Sequence, residues 1–139
     1  MTIAEQILVL GGVLNLVYGF ITGFMVAMIR QKQSEAPKYL MFAHIGPLMQ
    51  GAMLLGLVFA VQMSNLSTGT EAVAAALLSG GAFLLAAKDT INWWQSISDE
   101  FHEKPVLGLV LGILSVFASS VGLLILLIGV IAGIDLSTF

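Results

Sequence analysis

Ile7–Ile29, ILVLGGVLNLVYGFITGFMVAMI, runs 23 residues without a formal charge. A bilayer core about 30 Å thick is crossed by roughly 20 helical residues, so this stretch is long enough to span one. Three further blocks have the same character: Tyr39 to Met63, Ala72 to about Trp94, and Val106 to Ile134. Inside lipid each backbone polar group must be satisfied within its own segment, which makes all four blocks helices. The last block has 29 residues and is expected to tilt or to extend beyond the hydrocarbon. The predicted architecture is all-α: an integral membrane four-helix bundle forming one transmembrane domain over 1–139, with helices at about 7–29, 39–63, 72–94 and 106–134.

Composition agrees with that architecture. Of 139 residues, 58% are hydrophobic and only 9% charged, and the mean hydropathy is +1.02. A soluble domain carries roughly a quarter charged residues, so this chain lacks the polar side chains to cover a water-facing surface. Net charge is −3 with five Lys and Arg, which leaves no basic footprint for nucleic acid. With no cysteine, disulfides, thiolate zinc sites, iron–sulfur clusters and Cys nucleophiles are excluded. The first block is not expected to be a cleaved signal. No basic residue precedes it, and it exceeds the roughly 7–15 apolar residues of a signal core.

Basic residues set the expected orientation. Arg30, Lys32 and Lys38 lie in the first loop and Lys104 in the third, with Lys88 beside it; the second loop (Ser64–Glu71) and the termini have none. Loops one and three are therefore expected in the cytoplasm and both termini outside, in the cell's inner membrane. The pairs Gly19–Gly23, Gly108–Gly112 and Gly129–Gly133 have the spacing that lets helices approach closely, within one chain or between copies.

Polar groups inside a membrane are costly, so they mark where function is sought. Span one has Asn15 and Tyr18, and span two His44 and Gln50. Span three ends in Lys88, Asp89, Asn92, Trp93 and Trp94, while span four has Ser115, Ser119 and Ser120. His44 is followed by Gly46 and Pro47. Pro47 cannot donate a backbone hydrogen bond and crowds the Ala43 carbonyl, so a kink and a freed carbonyl are expected beside the imidazole. Gly51, at i+7, falls almost directly below His44 and leaves an expected notch for a flat cofactor. Three roles stay open on these grounds: a hydrogen bond to a neighbouring helix, haem ligation, or proton relay. His102, among Asp99, Glu100 and Glu103, reads as a solvated loop residue. Asp89, Asn92, Trp93 and Ser96 follow i, i+3, i+4, i+7 spacing and would share one face of a continued helix. That face is either an interfacial aromatic belt with Lys88 snorkelling outward, or the polar wall of a pocket at the depth of His44.

The segment Ala43–Gly51, AHIGPLMQG, resembles the second helix of styrene oxide isomerase and its relative hydroxylaminobenzene mutase, small four-helix membrane proteins. Their second helix has an A/S-H-x-G-like segment with an amide residue six positions after the His and glycine next. Gln50 and Gly51 match that arrangement, with Gln replacing the usual Asn. The likeness extends to span count, length and the polar stretch around Asn92. It implies a homotrimer holding haem b between subunits, with His44 as the axial iron ligand and Gly46 and Gly51 beside the cofactor. Gln50 and Asn92 become the candidate catalytic residues. The implied reaction rearranges a small apolar aromatic epoxide to an aldehyde, ferric iron serving as Lewis acid without redox turnover. The isomerase has a tyrosine one turn after its third-helix Asn, where this chain has Ser96, so that role passes to no residue here. Its third-helix carboxylate precedes the Asn by four residues, against three for Asp89 and Asn92.

The implied chemistry is physically sensible. One histidine per iron leaves the opposite position open to polarise an oxygen, and an apolar pocket protects developing benzylic cation from water. Trp93, Trp94 and the Met and Phe side chains are candidate walls, and apolar substrates would enter from the lipid. The alternatives are a hydroxylaminoarene mutase on the same scaffold and a membrane haem-binding protein without catalysis. A small multidrug exporter needs a mid-membrane carboxylate, which this sequence lacks. An electron-transfer cytochrome would usually fill both axial positions, and only one intramembrane histidine is present per chain.

Overall fold

A computed structural model describes residues 1–134; the last five residues of the expected 1–139 domain lie outside the described part. Five helices follow in order: α1 (Ile3–Arg30), α2 (Lys38–Gln62), α3 (Thr68–Trp94), the one-turn α4 (Glu100–Glu103) and α5 (Val106–Gly133). The four long ones are each long and apolar enough to cross a membrane, which makes this an all-α, multi-pass membrane chain.

The first and third spans begin earlier than hydropathy alone suggests because caps recruit polar residues. Thr2 and Glu5 form a reciprocal capping box: Glu5 N–H donates to Thr2 Oγ1 at 3.2 Å, and Thr2 N–H to Glu5 Oε2 at 2.7 Å. Ser67 caps α3 by accepting from Thr70 N–H, so the helix starts at Thr68 rather than Ala72. At its other end α3 stops at Trp94. Ile97 N–H reaches back to Asn92 O and Ser96 N–H to Trp93 O, the paired bonds of a Schellman close, with Ser96 left-handed at φ 55°. Ser96 therefore does not continue the face of Asp89, Asn92 and Trp93, as the spacing predicted.

The tightest pairings are α1 with α2 and α3 with α5, while α1 and α2 also rest on α3. Close approach depends on small residues. A Cβ at Gly12 would lie 3.0 Å from Gly51 O, and one at Gly51 would lie 2.8 Å from Gly12 O and from Leu16 Cγ. The two backbones thus touch where side chains are missing. Leu8, Leu54, Leu78 and Leu126 anchor an apolar core toward the end holding the N-terminus and the α2–α3 turn. Phe20, Phe24, Phe59, Ile113 and Phe117 point outward, the inside-out pattern of a lipid-facing surface. Polar side chains are concentrated at the opposite end, around the α1–α2 and α3–α5 connections.

Candidate functional site

His44 lies on the α2 face packed against α1. Its Nδ1 is 2.7 Å from the Gly19 carbonyl oxygen. A carbonyl only accepts, so Nδ1 carries the hydrogen and a neutral ring keeps its lone pair on Nε2. The ring is seated on Gly23, where an added Cβ would lie 2.5 Å from His44 Cε1 and 2.7 Å from Nδ1, but 3.2 Å from Nε2. The Nδ1–Cε1 edge is therefore pressed to α1, with Nε2 farther from that helix and without a hydrogen-bond partner among the described residues. The carbonyl released by Pro47 is satisfied nearby: Thr22 Oγ1 of α1 donates to Ala43 O at 3.0 Å. Helix α2 runs unbroken through Pro47.

A second polar group surrounds the end of α3. Lys88 Nζ lies 3.1 Å from Asp89 Oδ1 and 3.1 Å from Glu100 Oε2, with side chains only 13%, 6% and 15% exposed respectively. Asn92 Nδ2 donates to Glu100 Oε2 at 2.9 Å, and Glu100 N–H donates to the Tyr39 hydroxyl at 2.9 Å. The network ties α3 to the start of α2 and to α4. Lys88 is turned inward by this network, against the snorkelling in one of the two readings of that face. Gly108 of α5 leaves room for the Asn92 amide, whose oxygen a Cβ at that position would overlap.

The α3–α5 connection holds a third cluster. The Glu103 carboxylate accepts from Ser98 Oγ at 2.6 Å, Ser98 N–H at 2.8 Å and Asp99 N–H at 3.1 Å. These bonds favour the charged form and hold its pKa below the ordinary 4.5. The sign is that of a depressed carboxylate: its stabilisation is complete above the unfolded value and lost as pH falls through the folded one. The protection factors of the Ser98 and Asp99 amides, taken relative to the intrinsic rate at each pH, are expected to fall on acidification through that range in wild type. A Glu103→Gln protein should show weaker protection at both amides, without that pH dependence.

The expected site residues do not converge within one chain. His44 and Gly51 turn toward α1, and the notch foreseen under the imidazole is filled at Gly51 by the Gly12 carbonyl and Leu16. Helix contact consumed the space that two glycines opened. Gly46 faces α3, where a Cβ would lie 3.8 Å from Asp89 Oδ2. Gln50, one turn on, is half-buried, and its Oε1 has no hydrogen-bond partner among the described residues. Asn92 is 0% exposed; its Nδ2 donates to Glu100, and its Oδ1 has no hydrogen-bond partner among the described residues. Glu100 is the member that sequence reasoning missed. Asp99 as N-cap and Pro105 as stop were the available signal, since they delimit the one turn that carries Glu100 against α3. His102 is exposed, as expected. Among the described residues no cluster of three His, Asp or Glu side chains is placed to hold a metal ion. No protein-family model, curated protein or solved structure matches this chain.

Proposed function

We propose that this protein is a haem b-dependent isomerase of the inner membrane, with His44 as its axial ligand, acting on a small apolar aromatic epoxide. The observation that carries the proposal is the tautomer imposed on His44: Gly19 O takes the Nδ1 hydrogen at 2.7 Å, which leaves Nε2 as the free lone pair. Metal-binding histidines are commonly oriented through such a carbonyl bond, which also raises their basicity. His44 would hold the haem through Nε2, and the filled surroundings of Gly51 leave no room for it beside that glycine. When bound, ferric haem supplies a Lewis acid for an epoxide oxygen.

The chain's own contributions are orientation and water exclusion. Gly19 and Gly23 hold the imidazole in one rotamer, and the exposed aromatic and aliphatic faces keep the surroundings in hydrocarbon. Asn92 acts through Glu100, fastening the α3–α5 connection against α3 and Tyr39. Attachment at a helix edge leaves the remaining wall of the site to a neighbouring copy, in keeping with a homotrimer. Loops one and three, which hold four of the five basic side chains, would face the cytoplasm.

The test is an absorption spectrum of detergent-purified protein expressed with haem supplementation. A Soret band is expected in wild type and its loss in His44→Ala. A colourless wild-type preparation would overturn the proposal. Styrene oxide and phenylhydroxylamine supplied separately then discriminate isomerase from mutase, with aldehyde from the first expected.

A further inference from the structure

Arg30 takes part in none of the ion pairs among the described residues, whose cations are the N-terminus and Lys88. It ends α1 on the face that seats His44. Gly23, against which the imidazole rests, is followed on that face by Ala27 and then Arg30, at i+4 and i+7. Seven residues advance about 10.5 Å along a helix, and the side chains on that line before Arg30 are a hydrogen atom and a methyl group. Ala27 and Arg30 are exposed, so no other helix covers the last two positions.

Haem b carries two carboxylates, and charge inside hydrocarbon is costly, so they are drawn to the nearest membrane boundary. For a group on His44 that boundary is the α1–α2 connection, because His44 stands in the second turn of α2, which begins at Lys38. The cations there are Arg30, Lys32 and Lys38. Lys38 is engaged elsewhere: its Nζ donates to Ser98 O at 3.4 Å and lies 5.4 Å from the centre of the Tyr39 ring. Lys32 follows the C-cap Gln31 and stands off the helix. Arg30 is the one that shares a helix face with the Gly23 seat.

We propose that the Arg30 guanidinium binds a propionate carboxylate of haem b held on His44. The proposal rests on the haem reading above and adds to it a second point of attachment. A guanidinium stays charged at any working pH and offers a planar fork that meets a carboxylate with two parallel hydrogen bonds. The competing partner for Arg30 is the phosphate of an anionic lipid at the cytoplasmic boundary.

Two probes test it: ferric haem b and its dimethyl ester, which keeps the iron and loses both charges. Each is titrated into detergent-purified protein expressed without haem supplementation and followed by the shift of the Soret band. Each probe is compared across variants, so that its own partition into detergent cancels. Arg30→Gln should weaken haem b roughly tenfold, the scale of one charge-assisted hydrogen bond, and leave the ester unchanged. Arg30→Lys should recover part of the loss, and Lys38→Gln should change neither probe. His44→Ala should lose the shift with both. Equal weakening of the two probes by Arg30→Gln would mean a merely structural role, and no change in either would leave Arg30 to lipid phosphate. A loss of haem b affinity in Lys38→Gln instead would move the contact to that residue. Each of these results overturns the proposal while the haem reading stands. Wild-type protein that binds neither probe overturns the haem reading, and this proposal with it.

Discussion

Lys88→Met should destabilise the protein by about 3–5 kcal/mol, the cost of removing one partner from a buried ion pair. The lysine ammonium is the only cation in contact with Asp89 and Glu100 among the described residues, at 3.1 Å from each. Methionine fills much the same volume, so the loss isolates charge from packing. It leaves two carboxylates largely shielded from water, with Glu100 still held by Asn92 and the Tyr39 hydroxyl. Protonating them, or freeing the α3–α5 connection from α3, is the only relief. Equilibrium unfolding in mixed micelles measures the change. Neutralising the carboxylates as well, in a Lys88→Met, Asp89→Asn, Glu100→Gln triple variant, should recover most of the loss, because a fully neutral cluster avoids the burial of charge. A single variant within about 1 kcal/mol of wild type, the typical value of a surface pair, would show that these groups are solvated.

Gly23→Ala should lose haem as completely as His44→Ala, although Gly23 offers no ligand atom. An added methyl would stand 2.5 Å from Cε1 and 2.7 Å from Nδ1 of the imidazole, closer than real Cβ contacts allow. The ring must rotate away, and rotation breaks the bond to Gly19 O that orients it. Gly56→Ala is the matching control, since nothing lies within 4 Å of a Cβ at that position. The haem-to-protein ratio after purification reads the result: near zero for Gly23→Ala and unchanged for Gly56→Ala. Full haem retention in Gly23→Ala would mean that the seat on α1 does not position the ligand.

Much of the fold was legible before any coordinates. Four uncharged blocks of span length can satisfy their backbones in lipid only as helices, and that inference needs no partner residue. Their ends were less legible. Thr2 and Ser67 extended α1 and α3 upstream through side-chain caps, while α3 ended at Trp94, as expected, and a left-handed Ser96 kept the helix from continuing. Helix ends are settled by a few hydrogen bonds, and hydropathy averages over them.

The candidate site was legible only as a set of residues. His44, Gly46, Pro47 and Gly51 were visible as an unusual run, and the Ala43 carbonyl freed by Pro47 followed from covalent geometry. Which helix each residue meets was not. Thr22 answers the Ala43 carbonyl and Gly19 takes the His44 hydrogen, both from α1, more than 20 positions away in sequence. The glycine gap at Gly51 went to the backbone of Gly12, because in lipid small residues stabilise a helix pair by close contact. Glu100, a charged residue in a polar connection, was turned inward by one helical turn to meet Lys88 and Asn92. Secondary structure in a bilayer follows from what each segment must do alone. The tautomer of His44 and the pairing of Lys88 depend on which side chains oppose one another across helices, and packing of the whole chain decides that.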